Sequence, residues 1–125
     1  MKEFWDERYD VHEYVYGTSP NSYIAGKLRK LKPGFILMPA EGEGRNAVFA
    51  ASLGWKVHAF DYSRIALSKA LELAGNNDVD FEYQVLDCDD YEVVDAYYDA
   101  IAFSFLHLKE NQKKIFHAKM IKSLK

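Results

Sequence analysis

Between Phe35 and Asp61 the chain passes through an apolar run (Phe35 to Met38), an acidic glycine turn (Glu41-Gly42-Glu43-Gly44), a helix-like segment, a second apolar run and a closing Asp. That order leaves little freedom. Glycines let the backbone come close to a ligand, and a helix that opens directly after them points its free amides the same way. An acid at the end of the next strand is placed to accept hydrogen bonds from two ribose hydroxyls. The residues read as a cradle for a nucleotide-type cofactor.

The rest of the chain repeats the alternation. Residues 1 to 23 are crowded with aromatics between charges and end in the turn-prone Gly17-Thr18-Ser19-Pro20-Asn21, an arm that must pack on something. Apolar spacing predicts a short amphipathic helix from Ser22 to Leu31, stopped by Pro33-Gly34. Then come a strand at Phe35 to Met38, a helix from Arg45 to Leu53, and a strand at Lys56 to Phe60. A helix capped by Ser63 runs through Ala74 with Gly75 as its stop. A strand at Asp80 to Leu86, a helical turn within Asp89 to Asp95 and a strand at Ala100 to Phe105 follow. The last element is a helix from Lys109 to Leu124 whose inner face is either Ile115, Ala118 and Ile121 or Phe116, Met120 and Leu124. Strands joined through helices are parallel neighbours, so the expected fold is α/β with an open doubly wound sheet. Residues 1–34 form the arm and first helix, and 35–125 the cofactor-binding domain, the two making one compact unit.

Composition removes several function classes. A 125-residue chain with 49% apolar residues can bury one core. Its net charge of −3 and lack of a long basic run leave no footprint for nucleic acid. The single cysteine, Cys88, excludes an internal disulfide and fits a reducing compartment. No apolar stretch is long enough to span a membrane and the charged start does not lead into a signal-peptide core, so the reading is a soluble cytoplasmic protein.

Several groups carry candidate chemistry. Gly42-Glu43-Gly44-Arg45-Asn46-Ala47 fits GxGxxA, and Asp61 lies 17 positions after Gly44, as a loop, helix and strand require. Asp61 either grips a ribose or caps the following helix, a task for which Ser63 is already available. Asp87-Cys88-Asp89, on the same carboxyl edge of the sheet, is either a ligand contact or a solvated acidic turn. His107, just past the fourth strand, is a structural histidine or a general base. The aromatic arm is either packing or a lid over a cationic ligand.

Together, Phe4-Trp5-Asp6-Glu7-Arg8-Tyr9, Tyr14-Val15-Tyr16-Gly17, Pro20-Asn21, the Gly42 to Ala47 turn, Val57 to Ser63 and Tyr98-Asp99-Ala100-Ile101 resemble class I S-adenosylmethionine-dependent methyltransferases. The nearest flavour is the small tellurite-resistance and thiopurine-methyltransferase-like subgroup, over essentially the whole chain. The resemblance implies S-adenosylmethionine as cofactor, adenosylhomocysteine as product and a small-molecule methyl acceptor. It implies that the turn from Glu41 through Gly42 to Gly44 holds the methionine and ribose end, with Ala40 and Asn46 also among the cofactor-binding residues. Asp61 takes the ribose hydroxyls with Tyr62 beside the adenine. Asp87 accepts from the adenine amino group, the Cys88 amide meets a ring nitrogen, Phe103 and Ser104 border the sulfonium, and Tyr14 and Tyr16 come from the arm.

Two departures stand out. Met38 and Ala40 occupy the places where such families usually carry an acid and a first glycine. The chain also stops at Lys125, where the family continues into three more strands, so that the apolar fourth strand is expected as an uncovered edge. Either a shortened reading frame or a homodimer through that edge follows. Two rival functions remain: a nicotinamide-dependent oxidoreductase, since GxGxxA with a distal acid serves that cofactor too, and a catalytically inactive binding module.

Overall fold

A computed structural model describes residues 2–11, 13–103 and 108–125. The element order is α1 (Lys2–Tyr9), α2 (Ser22–Lys30), β1 (Phe35–Pro39), α3 (Arg45–Ser52), β2 (Lys56–Asp61), α4 (Arg64–Asn76), β3 (Glu82–Val85), a single 3-10 turn (Cys88–Asp90), β4 (Ala100–Ile101) and α5 (Glu110–Ser123). The four strands are parallel in the order β3-β2-β1-β4. Strand order therefore reverses at β1, which opens a crevice above the carboxyl ends of the strands.

Alternation along β1 and β2 divides the core between two faces. Ile36 and Met38 with Val57 and Ala59 meet Ile24 and Leu28 of α2, Ala47 and Ala50 of α3, and Trp55. On the opposite face Leu37 and Phe60 meet Tyr91, Tyr98, and Phe116 and Met120 of α5. The sheet is covered on both sides, as a doubly wound fold requires. No helix among the described residues is long and apolar enough to cross a membrane.

The arm contains a helix that its scattered charges conceal. Trp5 and Tyr9, one turn apart, put their rings on one face of α1 and pack against Ala66 of α4. Asn21 caps α2, its side chain accepting from the amides of Tyr23 and Ile24. Helix α4 begins where Ser63 predicts, but it runs past Gly75. Asn77 ends it instead: its backbone N–H reaches Ala74 O and its side-chain amide donates to Leu73 O at 2.9 Å, while Asp78 takes the left-handed turn at φ 54°. On α5 the buried residues are Phe116, Met120 and Ser123, whereas Ile115 and Ile121 are 61% and 72% exposed.

The fourth strand is shorter than its apolar sequence suggests, and the segment leading into it is not bare. Ser123 O accepts from the amides of Tyr97 and Tyr98, Lys125 N donates to Tyr98 O, and the Lys125 ammonium lies 3.1 Å from Asp99. Tyr98 and Leu124 form a parallel bridge. The chain's own C-terminal residues thus cover the segment leading into β4, while β4 itself stands at the edge of the sheet among the described residues, paired with β1.

Gly44 is required twice over. Its φ is +90°, and a Cβ there would stand 2.7 Å from Ala70 Cβ where α3 crosses α4. Gly44→Ala is expected to lower unfolding free energy by about 2–4 kcal/mol in urea titration, from left-handed strain plus overpacking. Unchanged stability would show that the crossing is looser than described.

Candidate functional site

The turn from β1 to α3 is made by three left-handed residues, Ala40 (φ 52°), Gly42 (φ 64°) and Gly44 (φ 90°). It is tied down on all sides. Glu41 N donates to Phe60 O at 3.1 Å, and the Tyr83 hydroxyl donates to Gly42 O. A Cβ on Gly42 would meet the Tyr9 hydroxyl at 2.8 Å, so the absent side chain is what lets α1 close over the turn.

Asp61, at the end of β2, is 6% exposed. One carboxylate oxygen accepts from Gly42 N and the other from Ser63 N, each at 3.0 Å. A carboxylate has about four acceptor positions and the Tyr62 amide also bears on this one, so acceptor capacity remains for a ligand. Burial raises its pKa against the lowering pull of those backbone donors. Asp61 does not cap α4. Ser63 does, accepting from Ala66 N at 3.2 Å while its hydroxyl donates to Asp6 of α1 at 2.6 Å.

Glu41 takes the N-terminus of α3. Gly44 offers no side chain to cap that helix, and a Glu41 oxygen accepts from Ala47 N at 2.7 Å. Burial pushes the Glu41 carboxyl up to about 8, outweighing the backbone donors of Ala47 and Asn46 and the Arg45 charge. Met38, by contrast, is fully buried in the core beneath the sheet. The acid that reaches the cavity stands three residues later than the resemblance implies.

The arm is held by one ammonium. Lys69 of α4 donates to the carbonyls of Tyr9 (3.2 Å), Val11 (3.0 Å) and Glu13 (2.6 Å) and pairs with Glu43 of the glycine turn. Glu43 in turn accepts from Val15 N at 2.7 Å. Lys69 lies in no motif, and Glu43 fills a position that GxGxxA leaves unspecified. The aromatic faces that suggested a cation lid already carry cations of the protein: Lys69 over Tyr14 at 5.1 Å, and Arg8 and Arg45 over Tyr16 at 5.7 and 5.8 Å.

These elements enclose a cavity of about 450 Å³, of the size that takes a small-molecule cofactor. Of the residues the sequence singled out, Tyr16, Ala40, Glu41, Gly42, Asn46, Asp61, Tyr62, Asp87 and Cys88 line it. Others do not. The Tyr14 hydroxyl donates to Lys69 O, Gly44 sits at the helix crossing, and Phe103 packs on Phe116 and His117. Ser104 and His107 lie outside the described residues. The structure adds Trp5 and Tyr9 from α1, and Leu108, Lys109 and Gln112 at the start of α5. The one-turn spacing of Trp5 and Tyr9 was the signal available for the first pair.

The titratable groups that line the cavity are mostly acidic. Glu41, Glu43, Asp61, Asp87 and Asp89 line it against Arg45 and Lys109, and Lys69 neutralises Glu43 from behind. The Cys88 thiol and the Tyr62 hydroxyl are each pushed up to about 12, mainly by burial, and stay protonated near neutral pH. Among the described residues, no histidine lines this cavity.

A sequence profile described as a methyltransferase domain matches residues 36–125. No curated protein matches the chain by sequence. Among solved structures, the chain is similar at TM-score 0.84 and 22% identity to a protein studied for conversion of a disulfide bond into a thioacetal group during echinomycin biosynthesis, covering 100% of this chain and 56% of that one. It is similar to phosphoethanolamine N-methyltransferase 1 of Haemonchus contortus, solved with phosphoethanolamine and S-adenosylhomocysteine, at TM-score 0.81 and 18% identity over 99% of this chain and 29% of that one. TehB of Haemophilus influenzae follows at TM-score 0.75 and 15% identity, over 99% and 42%. The chain thus spans roughly a third to a little over half of these structures.

Glu41 makes the stability of the unliganded protein depend on pH with a definite sign. The unfolded chain loses this proton near 4.5 and the folded chain near 8, so between those values the folded state holds more protons and stability falls as pH rises. Denaturation midpoints of wild type and Glu41→Gln, compared from about pH 5 to about pH 8, are expected to diverge because the wild type loses more. Parallel pH profiles would contradict a neutral Glu41.

Proposed function

Because the chain belongs to the methyltransferase-domain family, we propose that it binds S-adenosylmethionine above the glycine turn and serves methyl transfer to a small-molecule acceptor. The observation that carries this reading is Asp61, fixed by Gly42 N and Ser63 N at the wall of an acid-rich cavity, with acceptor capacity left for a sugar diol. Two hydroxyls fit a carboxylate held in this way, each bond being charge-assisted.

The surroundings favour a positively charged ligand. A sulfonium and an ammonium gain from carboxylates in a partly buried site, whereas the two phosphates of a dinucleotide meet repulsion there. Glu41 also uses an amide at the α3 N-terminus, the place where a pyrophosphate would sit in a nicotinamide enzyme. That contact weighs against the oxidoreductase reading.

When bound, the donor supplies an already activated methyl for in-line displacement by a nucleophile. The chain's part is to position and to exclude water. Asp61 orients the ribose, while Asp87 and the Cys88 backbone flank the adenine beside Tyr62. Trp5, Tyr9 and Tyr16 wall the cavity from the arm side. With the Cys88 thiol and the Tyr62 hydroxyl protonated, neither serves as a base near neutral pH, and a soft or already ionised acceptor needs none.

Thermal unfolding with adenosylmethionine, adenosylhomocysteine and NAD separates the readings. Ligand at about a hundredfold over its dissociation constant adds about 2.7 kcal/mol, a shift of several degrees for a domain this small. Stabilisation by both adenosyl compounds and none by NAD is expected. The reverse order would overturn the proposal, and binding of the donor without turnover of any acceptor would make this chain a cofactor-binding unit.

A further inference from the structure

A second cavity, of about 460 Å³, shares Phe60 and Leu86 with the first. It exists because the link from β3 to β4 carries only the 3-10 turn and a loop, where parallel strands are usually joined through a full helix. His58 and Phe60 project from the same face of β2, beside Glu82 and Gln84 of β3 in the ladder, and all four line the hollow that is left. The 3-10 turn serves both cavities: Cys88 and Asp89 line the first, Asp90 the second. Leu37, Phe60 and Tyr91, each buried, make an apolar floor. Glu82, Asp90 and Glu92, each exposed, stand at the rim. Among the described residues no lysine or arginine lines this cavity, and Lys119 is engaged with the carbonyls of Asp89 and Tyr91. His58 is engaged too, its Nδ1 lying 2.8 Å from the Tyr98 hydroxyl and its Nε2 3.3 Å from Glu82.

We propose that this cavity is a second binding site, for a small organic amine whose ammonium sits among Glu82, Asp90 and Glu92 and whose apolar body covers Leu37, Phe60 and Tyr91. The floor gains by losing contact with water, and the three carboxylates attract a cation and repel an anion. Among the described residues no group of acids, histidines or cysteines is arranged to hold a metal ion, so the cation that fits brings an apolar body of its own. Because the rim is open to water, the electrostatic share of binding is modest and weakens with salt. The site does not depend on the methyl-donor reading, since its acids belong to the second cavity alone.

Phenethylamine is the probe, with phenethyl alcohol as its uncharged counterpart of similar size and hydrocinnamate as the anionic one. Each is titrated at low salt into isotope-labelled protein while the backbone amide resonances are followed. Phenethylamine is expected to give saturable shifts at residues 82–86 and 90–94, with phenethyl alcohol about three- to tenfold weaker and hydrocinnamate weaker still. Replacing both Glu82→Gln and Glu92→Gln is expected to cost the amine about three- to tenfold in affinity and the alcohol nothing. Both side chains are exposed, and the variant's own spectrum reports whether its fold is kept. Four results would overturn the proposal: no saturable shift with the amine, equal affinity for amine and alcohol, unchanged amine affinity in the double variant, or shifts confined to residues 41–46 and 61–62. The last would place the amine in the first cavity.

Discussion

A buried carboxylate shared between two backbone amides sets the geometry of this protein. Asp61 joins the glycine turn after β1, through Gly42 N, to the β2–α4 junction, through Ser63 N. Burying an ionised group is costly without partners, and charge-assisted bonds to two amides offset that cost. The same bonds fix how far apart the two strand ends stand. The sheet reverses its order beside β1, and the side chain that ties the β1 and β2 ends together also lines the crevice that opens there.

A second buried charge closes the crevice from the other side. Lys69 gathers three carbonyls of the arm and pairs with Glu43, so the arm, α4 and the glycine turn meet at one ammonium. Helix α1 adds Trp5 and Tyr9 above the turn, and Asp6 ties it to Ser63, the cap of α4. The arm is thereby tied to α4 at two points, Ser63 and Lys69. The lining acids outnumber the bases, which makes the site a better host for a cation than for a phosphate.

The parts of this arrangement legible in the sequence are those set by local physics. Gly42 and Gly44 announce left-handed backbone, Ser63 announces a helix start, and the position of Asp61 follows from the length of a loop, a helix and a strand. Ala40 is the exception: it takes φ 52° without being glycine, held by the turn around it. What could not be read depends on contacts distant in sequence. Nothing near Lys69 shows that it meets carbonyls of the arm, and nothing near Glu43 marks it as the arm's acceptor. Tyr14 and Tyr16 look equivalent in sequence, yet Tyr16 faces the cavity while Tyr14 turns to the α4 backbone. Gly75 looked like a helix stop because glycine commonly is one, but the Asn77 amide supplied the missing donor two residues on. The α1 helix was hidden because short helices owe their existence to the surface they cover rather than to propensity.

The central claim is that Asp61 grips a ribose while keeping its hold on the turn, and a crystal structure with adenosylhomocysteine tests it most directly. The account predicts each carboxylate oxygen within about 3 Å of one ribose hydroxyl, with the bonds from Gly42 N and Ser63 N still in place. A ligand bound elsewhere, or an Asp61 side chain swung away from the sugar, would contradict it.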